Sequence, residues 1–193
     1  MKIWTIQPKS VWDIIEKTGR FICDNKKSDN LQDENFIRAY DWLVSKMETK
    51  IGSRPKDVIY PVWAWYLVDG KNEKPDLSDE TFKYGPSGSE WVCIELEMPE
   101  NQVVLTDEPS WTCFILNNDF FNNEVEEDKW DEREEWYENL PSEEKDIVRL
   151  NSWDNVFDIT PFQNDFCTQG VWVQATFWEI NKSNIVNVTH FTY

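Results

Sequence analysis

The spacing of apolar positions changes several times along the chain, and each change marks an element. Residues 2–7 read as a short strand, and Ser10-Val11-Trp12-Asp13 then opens a helix in the manner of a capping box. There the Ser10 hydroxyl would take up an orphan backbone donor of the first turn. Gly19 stands where a left-handed residue closes such a helix, and Trp12 and Ile15 share the face that packs back on the strand. Over 33–51, Phe36, Tyr40, Leu43 and Met47 form one helical stripe, stopped by Gly52 and Pro55. The nearly continuous apolar run Val58–Leu67 predicts a strand covered on both faces, with Pro61 near its start or at a bulge and Asp69-Gly70 as the closing turn.

Residues 70–90 are rich in Lys, Asp, Pro, Gly and Ser and read as a long surface loop. From Trp91 to Met98 the pattern alternates: Val92, Ile94, Leu96 and Met98 face one way, Cys93, Glu95 and Glu97 the other. A short strand follows at Val103–Leu105, then a helix capped by Ser110 that runs through Trp111, Phe114 and Leu116. Trp130, Tyr137 and Leu140 could seat residues 119–146 as one amphipathic helix. Finally, 171–178 and 185–191 read as a β-hairpin joined by Asn181-Lys182-Ser183-Asn184, with His190 on its second strand.

Composition narrows the classes. The chain has 193 residues, 40% hydrophobic and 15% aromatic, enough to bury a core in one domain. No apolar run approaches the roughly 18–20 residues of a membrane span. The opening Met1–Pro8 has no apolar signal-peptide core, so a cytoplasmic protein is expected. A net charge of -18 argues against direct binding of nucleic acid, which would enter only as a target of modification. Between 119 and 146 the acids far outnumber Lys129, Arg133 and Lys145. That segment reads either as a solvated face or as an acidic surface for a basic protein partner.

Candidate chemistry is sparse. Cys23, Cys93, Cys113 and Cys167 form no CxxC pair and have a single His to join them, so a metal site is not expected and reduced thiols are. Serine or cysteine hydrolase machinery would hang on His190 alone, with no nucleophile-elbow motif. The six glycines make neither GxGxxG nor a Walker loop. Twelve tryptophans remain the unusual feature. Trp63 and Trp65, two apart on a strand, make an aromatic wall. It serves either as packing or as a platform for a base or nicotinamide ring, with Tyr66 reaching the ring's opposite face.

Several segments together carry a resemblance: Ile3-Trp4-Thr5-Ile6-Gln7, Ala39-Tyr40-Asp41-Trp42, Tyr60-Pro61-Val62-Trp63-Ala64-Trp65, Leu105-Thr106-Asp107 with Trp111, Ser152-Trp153 with Phe157-Asp158, and Val173-Gln174-Ala175. In this order they resemble a bacterial and phage family, the domain of unknown function thirty-eight forty-one. Thr112 stands where a His is expected after Trp111. More distantly, the opening strand, helix and Gly19 are similar to the start of the ADP-ribosyltransferase fold in its DNA-modifying branch.

That second resemblance implies an NAD or related nucleotide site. Thr5, with Gln7, would match the first-strand position that contacts NAD. Trp63, Trp65 and Tyr66 would match the middle strand beside the nicotinamide, and Gln174 the catalytic Glu of the last strand pair. A Gln keeps the hydrogen bond to the ribose and loses the charge that offsets the developing cation. Gln174 is otherwise an ordinary strand glutamine. The expected fold is a single α+β domain over 1–193: a mixed, mostly antiparallel split sheet flanked by helices, ADP-ribosyltransferase-like, with an acidic helical excursion at about 119–146. Its ligand would be NAD or a related nucleotide; the alternative is an acidic interaction protein docking on a basic partner.

Overall fold

Alternating side chains make Lys2–Pro8 the first strand, β1, and the chain turns directly from it into α1 (Lys9–Thr18). The computed structural model describes residues 1–27, 33–163 and 168–193. Pro8 sits at the start of α1 with φ -55°, and no side chain caps the first turn, so Ser10 lies inside the helix and is not its cap. Proline needs no donor at that boundary, which lets the helix begin directly after the strand. Gly19 closes α1 at φ 79°, as its position predicts, and its N–H returns to Ile15 O.

The remaining elements follow in order: β2 (Arg20–Phe21), α2 (Glu34–Ile51), β3 (Val62–Leu67), β4 (Glu90–Glu97) and β5 (Val104–Asp107). After them come the single turn α3 (Glu108–Ser110), α4 (Glu127–Glu138), α5 (Ser142–Ser152), β6 (Phe162–Gln163), β7 (Thr168–Gln169), β8 (Val173–Phe177), β9 (Ile180–Asn181) and β10 (Ile185–Thr192). The main sheet has six strands in the order β10-β4-β1-β3-β8-β5, all registered pairs antiparallel. β2 with β9, and β6 with β7, form two small ribbons beside it. This is an α+β architecture with a mostly antiparallel sheet and helices on both faces.

Four local expectations are corrected. The apolar run from Val58 becomes a strand only at Val62, since Pro61 has no N–H to give a ladder; Val58 and Tyr60 are buried as irregular chain. Ser110 does not cap the next helix: Asp107 does, and Trp111–Ile115 continues as a wide π-turn rather than an α-helix. The acidic excursion is two helices, because Pro141 cannot continue α4 and instead precedes α5.

The last correction concerns the C-terminal hairpin. β8 lies between β3 and β5, whereas β10 pairs with β4 at the opposite edge of the sheet. Residues between them form β9, bound to β2, and a 3₁₀ turn at Lys182–Asn184. Burial explains the separation. Val173, Ala175, Thr176 and Phe177 are all buried, as an interior strand requires, while β10 has no buried residue and suits an edge.

The sheet's two faces carry different cores. On one, Val11 and Ile15 of α1 pack on Ile3, Val62, Ala64, Val92, Ile94 and Phe177; each buried aliphatic chain contributes roughly 1.5–3 kcal/mol. Residues of the other parity make the opposite face. There Ala39, Leu43 and Met47 of α2 meet Val104, Trp111 and Trp153, while Trp4, Ile6 and Trp65 gather with Phe82 from the 70–90 loop. Cys23, Cys93 and Cys113 are free thiols, and Cys167 lies outside the described residues.

Candidate functional site

β1 and β3 are registered at one pair only, Trp4↔Trp65. Beyond it a side chain takes over from the ladder: the fully buried Thr5 donates Oγ1–H to Trp63 O at 2.8 Å. With its one proton committed, Thr5 Oγ1 must accept from Gln7, whose Nε2 lies 2.8 Å away. That bond fixes which way the Gln7 amide points and, among the described residues, leaves its Oε1 and second N–H without a partner.

Gln7 forms one wall of a cavity of about 290 Å³ over this part of the sheet. Trp63, Trp65 and Gln174 line it too, with Tyr40 and Phe36 from α2, Trp111 and Thr112 from the π-turn, and Tyr84 from the long loop. The strand residues converge for a simple reason. Gln174 is the register partner of Trp65 and of Thr106, so all three share a face of adjacent strands.

Tyr40, Trp63 and Trp111 pack as an aromatic triad, with centroids 5.0 to 5.9 Å apart. Burial pushes the Tyr40 phenol far above its ordinary value, so it stays neutral. Trp65 Nε1 donates to Tyr84 OH at 3.2 Å, and the Tyr84 phenol is also raised by burial. Thr112 Oγ1 donates to Glu108 Oε1 at 2.9 Å, outside the lining. None of the side chains lining the cavity is an Asp, Glu, Lys, Arg or His. Among the described residues Gln174 has no hydrogen-bond partner for its amide, and the buried Thr106 hydroxyl opposite it has none either.

Of the residues singled out in the sequence, Gln7, Trp63, Trp65 and Gln174 therefore meet in one cavity. Thr5 lies beneath it and acts through Gln7. Tyr66 is not brought there: with the opposite strand parity it packs into the α1-side core, and its carbonyl accepts from Asn72. Phe36, Tyr40, Trp111, Thr112 and Tyr84 join the lining, with Ile6, Ala64 and Leu116. Tyr40 and Trp111 had a signal, since both fall in the segments quoted above for the family resemblance; Tyr84 sits in a loop with no periodicity.

A larger hollow of about 850 Å³ adjoins on the α1 side and shares Gln7, Tyr40 and Trp63 with the first. Its Arg20 is already held by Asp57 and Glu179. Cys23 also lines it, with a thiol pushed up by burial, which is the reverse of nucleophile activation. Among the described residues no group of three or more His, Cys, Asp or Glu side chains could hold a metal ion, and no helix is long and apolar enough to cross a membrane. His190 is exposed on β10, remote in sheet order from Gln174.

No curated protein and no solved structure matches the chain. A family model does match residues 2–186, a range that takes in every residue lining the cavity. The chain belongs to the family described as Domain of unknown function (DUF3841).

Proposed function

We propose that the neutral cavity binds a flat ring of a nucleotide: the nicotinamide of NAD or a base. The observation that carries this reading is the unpartnered Gln174 amide, set with the free edge of Gln7 among aromatic walls. Two amides in fixed places offer donors and acceptors to the edge of a planar heterocycle, while indole and phenol faces supply stacking. With no lining cation, the cavity suits a neutral base or the cationic nicotinamide ring better than a phosphate. Its volume is at the lower end of ligand pockets, so it suits one ring and not a whole dinucleotide.

The finer reading, an ADP-ribosyltransferase-like protein that modifies a macromolecule, rests on the resemblance of the strands bearing Thr5, Trp65 and Gln174. In such a reaction a carboxylate balances charge at the ribose carbon as nicotinamide leaves. Gln174 lacks that charge, which costs about 10²–10³ in rate. We therefore assign binding first and transfer, at a low rate, second.

The test is tryptophan emission and melting temperature on titration with NAD, nicotinamide, adenosine and uridine, alongside labelled NAD incubated with lysate. Quenching and stabilisation that vanish in Gln174→Ala and Trp65→Ala support the reading. A flat response to all four ligands, or an equal response in both variants, removes it.

A second reading has its own observation. Tyr137 is the only buried side chain of α4, whose acids Glu127, Asp128, Asp131, Glu132 and Glu135 lie exposed. Such a helix presents negative charge for a basic protein partner. Binding by that route weakens steeply with salt and is lost when those five are neutralised; salt-insensitive binding would count against it.

A further inference from the structure

We infer that Glu108, at the mouth of the neutral cavity, and the aromatic cup beneath it make that cavity select a cationic ring, an N-alkylpyridinium, over a neutral ring of the same shape. This selectivity rests on the ring-binding reading above and settles what that reading leaves open, the charge of the ring.

The lining itself favours positive charge. Phe36, Tyr40, Trp63, Trp65, Tyr84 and Trp111 put six aromatic side chains around a space of about 290 Å³. Tyr40, Trp63 and Trp111 are inclined to each other by 51 to 71°, so they form a cup and not a stack. The face of an aromatic ring carries negative potential and attracts a cation, most strongly where water is excluded. No Lys, Arg or His of the lining already supplies one. A neutral ring gains stacking from these walls; a pyridinium gains stacking and that attraction together.

Glu108 adds a full negative charge. Thr112 and Tyr84 are the exposed members of the lining and so mark the mouth. Glu108 Oε1 accepts from Thr112 Oγ1 at 2.9 Å, which holds the carboxylate beside that mouth. Its backbone is fixed as well, the N–H donating to Trp172 O at 2.9 Å. Among the described residues no cation pairs with Glu108, and its second oxygen accepts no hydrogen bond. Tyr84 feels the same charge: its phenol, raised chiefly by burial, is raised further by Tyr193 and Glu108. An alkylammonium is also a cation, but the Gln7 and Gln174 amides call for a flat partner with a donor and an acceptor of its own. A pyridinium carboxamide carries both.

The probes are 1-methylnicotinamide, a cation, and 3-methylbenzamide, its uncharged match with carbon in place of the ring nitrogen. Titration calorimetry on the whole chain at low ionic strength should show the cation binding at least about 10-fold more tightly. Glu108→Gln keeps an oxygen for Thr112 and removes the charge. It should weaken the cation by roughly 3- to 5-fold and leave the benzamide unchanged. High salt should remove the same share in the parent and leave the share due to the ring faces. Choline, a cation with no ring, should bind at least about 10-fold more weakly than 1-methylnicotinamide. Should Glu108→Gln fail to fold, the matched pair and the salt dependence of the parent decide. Equal affinities for the matched pair overturn the selectivity and leave ring binding standing, whereas no binding of either probe overturns both. A preference for the cation that is unchanged in Glu108→Gln, or unmoved by salt, overturns the role of Glu108. Choline binding as tightly as 1-methylnicotinamide overturns the pyridinium class.

Discussion

Asp107 Oδ1 accepts the backbone N–H of Gly170 at 2.7 Å, across 63 positions of the chain. Its other oxygen accepts from Ser110 N at 3.1 Å and Ser110 Oγ at 2.6 Å. One buried carboxylate thus caps the turn that carries Trp111 into the cavity and ties it to the loop entering β8 and Gln174. Asp107→Ala strands the three donors and is expected to cost about 3–4 kcal/mol in chemical denaturation. Near-ultraviolet dichroism should weaken with it as Trp111 loosens. Unchanged dichroism would mean that Trp111 is held by its ring contacts alone.

Gly170 itself tolerates nothing larger. Its φ is +67°, and a Cβ there would stand 2.4 Å from the backbone oxygen of Ile159, which cannot swing aside as a side chain can. Gly19 has a similar φ of +79° with open space around it. Gly19→Ala should therefore cost about 1 kcal/mol, from backbone strain alone. Gly170→Ala should cost at least about 2–3 kcal/mol. Equal midpoints for the two variants would show that the Ile159 contact relaxes freely.

Thr5 offers a separable test of the cavity wall. Thr5→Val keeps the shape, leaves Trp63 O without its donor and frees the Gln7 amide to rotate. A loss of about 1–2 kcal/mol is expected, with ring ligands weakened several-fold more than stability alone explains. Thr5→Ser restores both hydrogen bonds. If Thr5→Val binds NAD as the parent does, Gln7 is not a ligand contact.

Two buried groups set an alkaline limit. Burial raises the Cys93 thiol from an ordinary value of 9.0 to about 11. A group whose folded value lies above its unfolded one favours the fold fully below pH 9, and that contribution fades as pH climbs towards 11. Tyr40, raised further by burial, extends the loss to higher pH. Cys93→Ala should thus flatten the fall of Tm between pH 9 and 11, and Tyr40→Phe should flatten it above pH 10. A slope unchanged in both variants would assign the alkaline limit to other groups.

Much of this fold follows from local pattern. The α2 stripe, the β4 alternation and Gly19 are decided by neighbours within one helical turn or one pleat. Pairing is not local, and so β8 and β10, close in sequence with only β9 and a turn between them, are separated by three strands in the sheet. Burial separates the two, because β8 has buried residues on both faces and β10 has none, yet the second face of β8 is the polar pair Gln174 and Thr176, which hides this from the sequence. The same holds for the site. Parity alone puts Trp63 and Trp65 together and sends Tyr66 away, and register adds Gln174. Tyr84 arrives from a loop whose course depends on Phe82 finding Trp65 and Trp172, rings far apart in sequence.

Gln174→Glu separates binding from transfer. It puts a carboxyl among Trp65, Trp63 and Tyr84 with no lining cation, so desolvation raises its value above that of an exposed glutamate. By the sign of linkage the variant matches the parent at acid pH, below the unfolded value near about 4.3, and becomes less stable as pH rises through the folded value. The ionised form is the one that would balance charge on the ribose. Nicotinamide release from NAD should therefore climb with pH through that same interval and exceed the parent's by about 10²–10³ at its plateau. A variant that folds, binds NAD and releases no nicotinamide at pH 9 would leave Gln174 as a binding contact and end the case for transfer. Release that rises while binding is unchanged would place the ribose carbon beside β8, and with it the missing charge as what limits the parent.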